Sequence, residues 1–192
     1  MKKISYFIAI VIFNGCTTVA SNEIIKLDSQ SITTESPNII EAKLEATPFD
    51  IWERIRLELT LKIPEDQIAS TSVYRERLYK NQSAVNRISK SGQRYLYHTL
   101  TRAEELGLPV ELALLPFVES EFDPYAKSID GATGIWQFMP ATGKEWGLKS
   151  NWWYDGKKDV LASTEAALQF LTYLHEKFDG DWLLAMAAYN TG

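Results

Sequence analysis

Two acidic residues, Glu119 and Glu121, stand at the end of a long apolar stretch and are the first candidates for chemistry. The stretch covers residues 108–124 and carries large apolar side chains at Leu112, Leu114, Leu115, Phe117, Val118 and Phe122. A carboxyl group in such surroundings needs a partner or keeps its proton, because burial disfavours the charged form. A carboxyl group that keeps its proton near neutral pH can act as a general acid.

The spacing of the two glutamates limits how they can work. Residues two positions apart on a helix point about 200° away from each other, so Glu119 and Glu121 cannot act together on one bond as a carboxylate pair. Asp123 is four residues after Glu119, but it precedes Pro124 and is expected to leave the helix. The pattern does not choose between the two glutamates, and a helix end with solvated acids would fit it as well.

The element that must position these acids is a helix across residues 109–123. Pro109 suits the first turn of a helix, and the chain before Pro124 is expected to be extended. The apolar side chains point in nearly all directions around this helix, which is typical of a buried one. Pro116 is expected to bend the helix near its middle, since its missing N–H removes one hydrogen bond.

A second segment, residues 130–143, combines glycines with large side chains that could contact a ligand. Gly131 and Gly134 permit tight turns, and Trp136, Gln137, Phe138 and Met139 offer apolar faces and an amide. The chain lacks the glycine spacing of a phosphate-binding loop and has no Gly-x-Ser-x-Gly nucleophile motif.

Aromatic residues and two further helices follow this segment. Five of the six tryptophans lie after residue 130, where their faces could stack on sugar rings or fill a core. Asp159 and Asp181 are expected to cap two helices separated by Gly180, the second of which ends in Ala188-Tyr189-Asn190.

Three short motifs together carry a resemblance to a known family. The motifs are Glu119-Ser120, Gly134-Ile135-Trp136-Gln137 and Ala188-Tyr189-Asn190. In order and spacing they resemble the motifs of bacterial lytic transglycosylases of the soluble-lytic-transglycosylase type. The residues around them are similar to the membrane-bound D type of that family, back to Trp52. The resemblance implies a mainly α fold with a lysozyme-like transglycosylase domain, shared with goose-type lysozymes. It also implies further helices beyond Gly192, so this domain is expected to be incomplete in the present chain.

The resemblance also implies a reaction and a site. Glu119 would be the catalytic acid and then base, cleaving the bond between N-acetylmuramic acid and N-acetylglucosamine in peptidoglycan with a 1,6-anhydromuramic acid end and no cofactor. The glycan would be bound by the residues around the three motifs, which are Ser120, Gln137, Phe138, Met139, Tyr189 and Asn190. Hydrolysis like that of a muramidase would instead call for an ordered water or a second carboxylate, for which Asp123 and Asp130 are the nearby candidates. A non-catalytic peptidoglycan-binding lipoprotein is the remaining alternative.

The first residues have the pattern of an export signal. Lys2 and Lys3 precede a mostly apolar run over residues 4–13, which is too short to span a bilayer permanently. The run stops before Gly15-Cys16, where Cys16 is the only cysteine of the chain. This pattern resembles a lipoprotein signal over residues 1–15 with lipidation at Cys16, and predicts the periplasmic face of the outer membrane. Secretion to the periplasm without a lipid is the alternative.

Composition sets the remaining expectations. Residues 16–45 are polar and predict a flexible tether, followed by a helical region over 46–105 and the catalytic region over 106–192. Of the 192 residues, 20 are Lys or Arg and 25 are Asp or Glu; loss of residues 1–15 would leave 18 basic residues and a net charge of −7. One cysteine and two histidines exclude a disulfide framework and do not favour a metal site.

One part of the chain departs from this acidic balance. Residues 74–102 carry seven basic side chains and one acidic one, interleaved with tyrosines. Such a segment is typical of a solvated helix face. Basic residues with interleaved aromatic ones can also bind an anionic polymer. In an exported protein that polymer is expected to belong to the cell wall, and nucleic acid is not expected as a partner. Nothing in the residues predicts an oligomeric state.

Overall fold

The computed structural model describes residues 50–62 and 65–191. The predicted signal, Cys16 and the predicted tether lie outside the described residues.

Helices make up the regular structure of the described ranges, which confirms the mainly α fold class. Apart from helices these ranges contain only isolated β-bridges. The helices are α1 (Ile51–Glu58), α2 (Glu65–Lys80), α3 (Gln82–Gly92), α4 (Leu96–Glu105), a 3₁₀ helix (Val110–Leu114), α5 (Leu115–Glu119), α6 (Pro140–Glu145), α7 (Val160–Lys177) and α8 (Trp182–Thr191). None of them is long and apolar enough to cross a bilayer.

The two C-terminal helices begin where capping residues predict. The Asp159 carboxylate accepts hydrogen bonds from the N–H groups of Leu161 at 3.0 Å and Ala162 at 3.1 Å, at the start of α7. Asp181 does the same for the first turn of α8. Each cap satisfies N–H groups that have no partner inside the helix. The predicted stop at Gly180 is confirmed, because its φ of +86° lies in the left-handed region between α7 and α8.

The helix predicted over residues 109–123 is wrong in its extent, although its burial is confirmed. The segment forms the 3₁₀ helix and then α5, and all residues from Val110 to Phe117 are buried. Pro116 is the second residue of α5, where a missing N–H costs no intrahelical hydrogen bond. The proline therefore starts a new helix instead of bending a long one. The helix ends at Glu119, and Glu121 has a φ of +54°.

Trp136 lies in the buried core and contacts both α7 and α8. Its side chain is 0% exposed, and its indole N–H donates to the Thr164 hydroxyl on α7 at 3.0 Å. Around it, α4 packs against both the 3₁₀ helix and α7, and α7 packs against α8. The buried indole therefore ties the turn at residues 133–138 to the longest C-terminal helix.

Gly134 allows this turn to approach the chain before α7. Its φ is +83°, a conformation that L-residues with a Cβ rarely adopt. A Cβ on Gly134 would also overlap the carbonyl oxygen of Lys157. The glycine is therefore required both for the backbone conformation and for the contact between two segments.

We predict that Gly134→Ala destabilises the fold by roughly 3 kcal/mol or more, from left-handed strain together with overlap of backbone atoms. Gly107→Ala is the matched control: Gly107 also has a positive φ, of +67°, but a methyl group added there would meet no atom within 4 Å. It should cost only about 1 kcal/mol. Urea unfolding of both variants measures the difference, and equal losses would contradict the assigned contact.

Candidate active site

Glu119 is the last residue of α5 and reaches the C-terminal helix. The Asn190 side-chain amide on α8 donates a hydrogen bond of 2.8 Å to Glu119 Oε1. Both residues are half-buried, so the carboxyl group is neither in the core nor fully in solvent. The structure thus brings together one residue from the first motif and one from the third.

Glu121 has a different partner and direction. It forms an ion pair with Arg87 on α3, away from the contact that Glu119 makes with α8. The left-handed backbone at Glu121 breaks the helix between the two acids. Their separation, which the sequence predicts from helical geometry, is therefore present, but it arises from a helix end and not from positions on one continuous helix.

Tyr189 contacts the buried Trp136 and lies near Glu119. Its hydroxyl donates a hydrogen bond of 2.9 Å to the Trp136 carbonyl, and its ring contacts Trp136 and Phe138 edge-on, with centroids 6.5 and 6.2 Å apart. Part of the residue remains exposed, but its hydroxyl is enclosed by protein. Burial raises the pKa of Tyr189 well above its ordinary value, and the nearby Glu119 charge raises it further. Tyr189 is therefore a neutral hydrogen-bond donor.

Ser120 fastens the end of α5 to the turn that carries Trp136. Its hydroxyl donates to the Ile135 carbonyl at 2.9 Å and lies 3.4 Å from the Pro116 carbonyl. Ile135 is buried, so this bond joins two fixed parts of the backbone. In this structure Ser120 holds the residue before it, Glu119, in place.

Gln137, Phe138 and Met139 are consecutive but have different environments. Gln137 has a φ of +49°, and its amide donates to the carbonyls of Gly134 at 2.9 Å and Ala126 at 3.3 Å. Phe138 is buried and contacts Tyr189, whereas Met139 is 39% exposed just before α6. The turn therefore offers one apolar side chain to the surface and uses the other two residues for its own structure.

Glu111 is a functional candidate that the sequence reasoning missed. It is 0% exposed on the 3₁₀ helix, and its Oε1 accepts hydrogen bonds of 2.7 Å from the backbone N–H groups of both Thr60 and Leu61. Its Oε2 has no hydrogen-bond partner in the described part of the chain. A lone glutamate inside an apolar run was the signal that could have found it, since such a residue needs internal partners. Glu111 thereby ties the segment after α1 to the element that leads into α5.

The remaining candidates for a second carboxylate face solvent. Asp123 is exposed, and its Oδ1 accepts the backbone N–H of Tyr125 at 2.9 Å. Asp130 is exposed as well. Among residues 50–62 and 65–191, no three His, Cys, Asp or Glu side chains come together in a way that could hold a metal ion.

The basic segment is partly neutralised by carboxylates. Lys80 pairs with Glu76, Arg87 with Glu121, and Arg102 with both Glu105 and Glu165. At least these three of its seven cations thus take part in ion pairs within the part of the chain that the structure describes.

Comparison with known proteins identifies the family of the chain. The family model described as the transglycosylase SLT domain matches residues 89–192, which contain all three motifs. The chain belongs to the transglycosylase SLT domain family. This confirms the resemblance and the lysozyme-like fold class.

Individual relatives in the SLT domain family carry names that describe their activity. The chain is 35% identical over 204 residues to the membrane-bound lytic murein transglycosylase D of Escherichia coli, from strain K12 and from O6:H1 strain CFT073. These alignments cover 100% of the chain and 44% of the relatives. The chain is also 42% identical over 85 residues to the peptidoglycan transglycosylase gp16 of Escherichia phage T7. This alignment covers 42% of the chain and 6% of gp16. The chain thus spans less than half the length of the murein transglycosylases it matches.

Removing the Glu111 carboxylate tests its role in fixing the segment after α1. Glu111→Ala leaves two backbone N–H groups without their acceptor and creates a cavity, so we predict a loss of about 2–4 kcal/mol in unfolding free energy. Glu111→Gln keeps an acceptor oxygen and should lose less. The readouts are urea unfolding and the rate of proteolysis at residues 59–62. The exposed Glu145→Ala is the control, and an equally small effect of Glu111→Ala would contradict the assigned role.

Tyr189→Phe tests the hydrogen bond to the Trp136 carbonyl. Near neutral pH the variant should lose about 1 kcal/mol of stability. Because folding raises the pKa of Tyr189, its contribution is complete below pH 10, the ordinary value, and declines as the pH rises above it. The unfolding free energy of the variant should therefore decline less steeply above pH 10 than that of the parent. Tyr125→Phe changes an exposed tyrosine and should match the parent both near neutral pH and above pH 10. If the unfolding free energy of Tyr189→Phe declined above pH 10 as steeply as that of the parent, the prediction would be contradicted.

Proposed function

We propose that the protein is a peptidoglycan lytic transglycosylase with Glu119 as its catalytic acid and base. The observation that carries this proposal is the contact of Glu119 with Asn190, which joins the first and third motifs beside Tyr189. Membership of the transglycosylase SLT domain family and the names of the relatives support the same reaction. The substrate is the bond between N-acetylmuramic acid and N-acetylglucosamine.

In the first step, protonated Glu119 donates its proton to the glycosidic oxygen. The bond from that oxygen to C1 of the muramic acid breaks as the sugar becomes oxocarbenium-like, and the N-acetylglucosamine leaves with a new hydroxyl group. Proton donation to the leaving oxygen lowers the barrier because the oxygen does not depart as an anion.

In the second step, the Glu119 carboxylate takes the proton from the C6 hydroxyl of the same muramic acid. The C6 oxygen bonds to C1 and closes the 1,6-anhydro ring, and Glu119 is protonated again. The nucleophile belongs to the substrate and is already held close to C1, so no water needs to be positioned. One carboxyl group is therefore sufficient, which agrees with the solvent-facing positions of Asp123 and Asp130.

The other predicted site residues have supporting roles in this proposal. Asn190 fixes Glu119 by its 2.8 Å hydrogen bond, and Ser120 holds the backbone next to it. Exposed Met139 and half-buried Tyr189 and Gln137 would line the groove for the glycan. Phe138 is buried and would support the groove through its contact with the Tyr189 ring. Exposed Met139 offers an apolar contact, and Gln137 shapes the turn that presents it.

The location of the protein follows from its proposed substrate. We propose that it acts at the cell envelope, held by a lipid on Cys16. A tether over residues 16–45 would join this anchor to the helical region over 46–105, which is followed by the catalytic region from residue 106. The support is the signal-like sequence before Cys16 and the membrane-bound relative in Escherichia coli.

Glu119→Gln tests the assignment of the acid. The amide cannot donate a proton as an acid does, so release of anhydro-ended muropeptides from purified sacculi should fall by roughly 10²–10⁴-fold. The products are identified by mass spectrometry, and circular dichroism establishes that the variant is folded.

Glu121→Gln is the matched control, because it changes an acid two residues away whose partner is Arg87. It should retain most of the activity. Retained turnover in Glu119→Gln with loss in Glu121→Gln would show that Glu121 is the acid. Products with reducing ends would identify a muramidase, and binding without product release from the parent would identify a glycan-binding protein.

A further inference from the structure

Two adjacent tryptophans lie on the surface and take no part in the core. Trp152 is 94% exposed and Trp153 is 71% exposed, and among the described residues their aromatic contacts are with each other and with Tyr154. Trp136, by contrast, is fully buried. Folding gains little from covering Trp152 and Trp153, and neighbouring exposed aromatic groups are a mark of an interaction surface.

The loop that carries the two indoles is internally fixed. The Asn151 side chain accepts the backbone N–H groups of Trp153 at 3.1 Å and Tyr154 at 2.8 Å, and the Asn151 N–H donates to the Tyr154 carbonyl at 2.7 Å. A β-bridge between Ser150 and Asp155 closes the loop on either side of this turn. The two tryptophans therefore stand at the tip of a tight, hydrogen-bonded turn, so binding requires little further ordering of the backbone.

The base of the loop is buried and charged. Lys157 is 9% exposed, and its ammonium group donates to Asp155 at 2.7 Å and to Ser150 at 3.3 Å. The Tyr154 hydroxyl adds a bond of 3.0 Å to Asp159, the cap of α7. The loop is thus anchored to the same helix that holds Trp136.

The loop also touches the turn of the second motif. The Lys157 carbonyl packs against Gly134, in the space that a Cβ would fill. Gly134 begins the turn that contains Gln137 and leads to Met139. The segment with the exposed indoles and the segment proposed to line the glycan groove are therefore in direct contact.

We infer that Trp152 and Trp153 form an additional glycan-contact site, which holds the peptidoglycan strand outside the residues around Glu119. This inference rests on the proposed function. A peptidoglycan strand is a linear polymer that continues beyond the bond being cleaved, and the apolar faces of its sugar rings suit stacking on indole rings. The two rings are inclined by 63° with centroids 6.5 Å apart, so they offer two separate faces.

Contact with the second-motif turn favours a glycan over a lipid surface as the occupant. A single glycan strand is long enough to occupy the groove and the loop at the same time. Membrane binding would use the same indoles independently of Glu119 and of the groove.

The test measures binding to sacculi in the Glu119→Gln background, so that the substrate is not consumed. Replacing both Trp152 and Trp153 by Ala should weaken co-sedimentation with purified sacculi by roughly tenfold in Kd, typical for loss of aromatic binding residues. Tyr125→Ala is the matched control: Tyr125 is 75% exposed and lies outside the basic segment, and its replacement should leave sacculus binding unchanged. Thermal unfolding of each variant establishes that the fold is retained.

A flotation arm uses vesicles that contain anionic phospholipid. Unchanged sacculus binding in the double variant would overturn the inference, whether or not vesicle binding is lost, and so would absence of sacculus binding in the parent. These outcomes are separate from failure of the proposed function, which is read from product formation with intact Glu119.

Discussion

The hydrogen bond between Asn190 and Glu119 is the interaction on which the chemistry proposed for this site depends. It joins the end of α5 to the C-terminal helix across 71 positions of sequence, and it gives a half-buried carboxyl group a defined direction. A proton donor is useful only when its oxygen is held within hydrogen-bond reach of the reacting atom. The packing around this contact keeps α5 and α8 at this separation.

Trp136 is the main connection in that packing. Its indole N–H binds α7 through Thr164, and its carbonyl accepts the Tyr189 hydroxyl of α8. The Ser120 bond to Ile135 attaches α5 to the same turn. Three helices, α5, α7 and α8, therefore meet at one short turn, and Gly134 permits that turn to lie against the chain before α7.

The features that sequence could predict are the local ones. The caps at Asp159 and Asp181 and the stop at Gly180 follow from backbone chemistry within a few residues. The split at Pro116 was missed because a proline fits both a bend and a new first turn, and only tertiary packing decides between them. Glu111 was missed because its partners, the N–H groups of Thr60 and Leu61, lie about 50 residues away and carry no side-chain signature. The choice of Glu119 over Glu121 came from the resemblance, and the structure adds the distinct partners of the two acids.

The most direct measurement of the central claim is the fate of solvent oxygen during cleavage. If Glu119 transfers a proton to the leaving sugar and then directs the C6 hydroxyl of the substrate onto C1, water is not a reactant. Digestion of sacculi in oxygen-18-labelled water should then give anhydro-ended products that contain no label. Products heavier by one labelled water, with oxygen-18 at C1, would contradict this mechanism, because they would require a water nucleophile and a group to activate it.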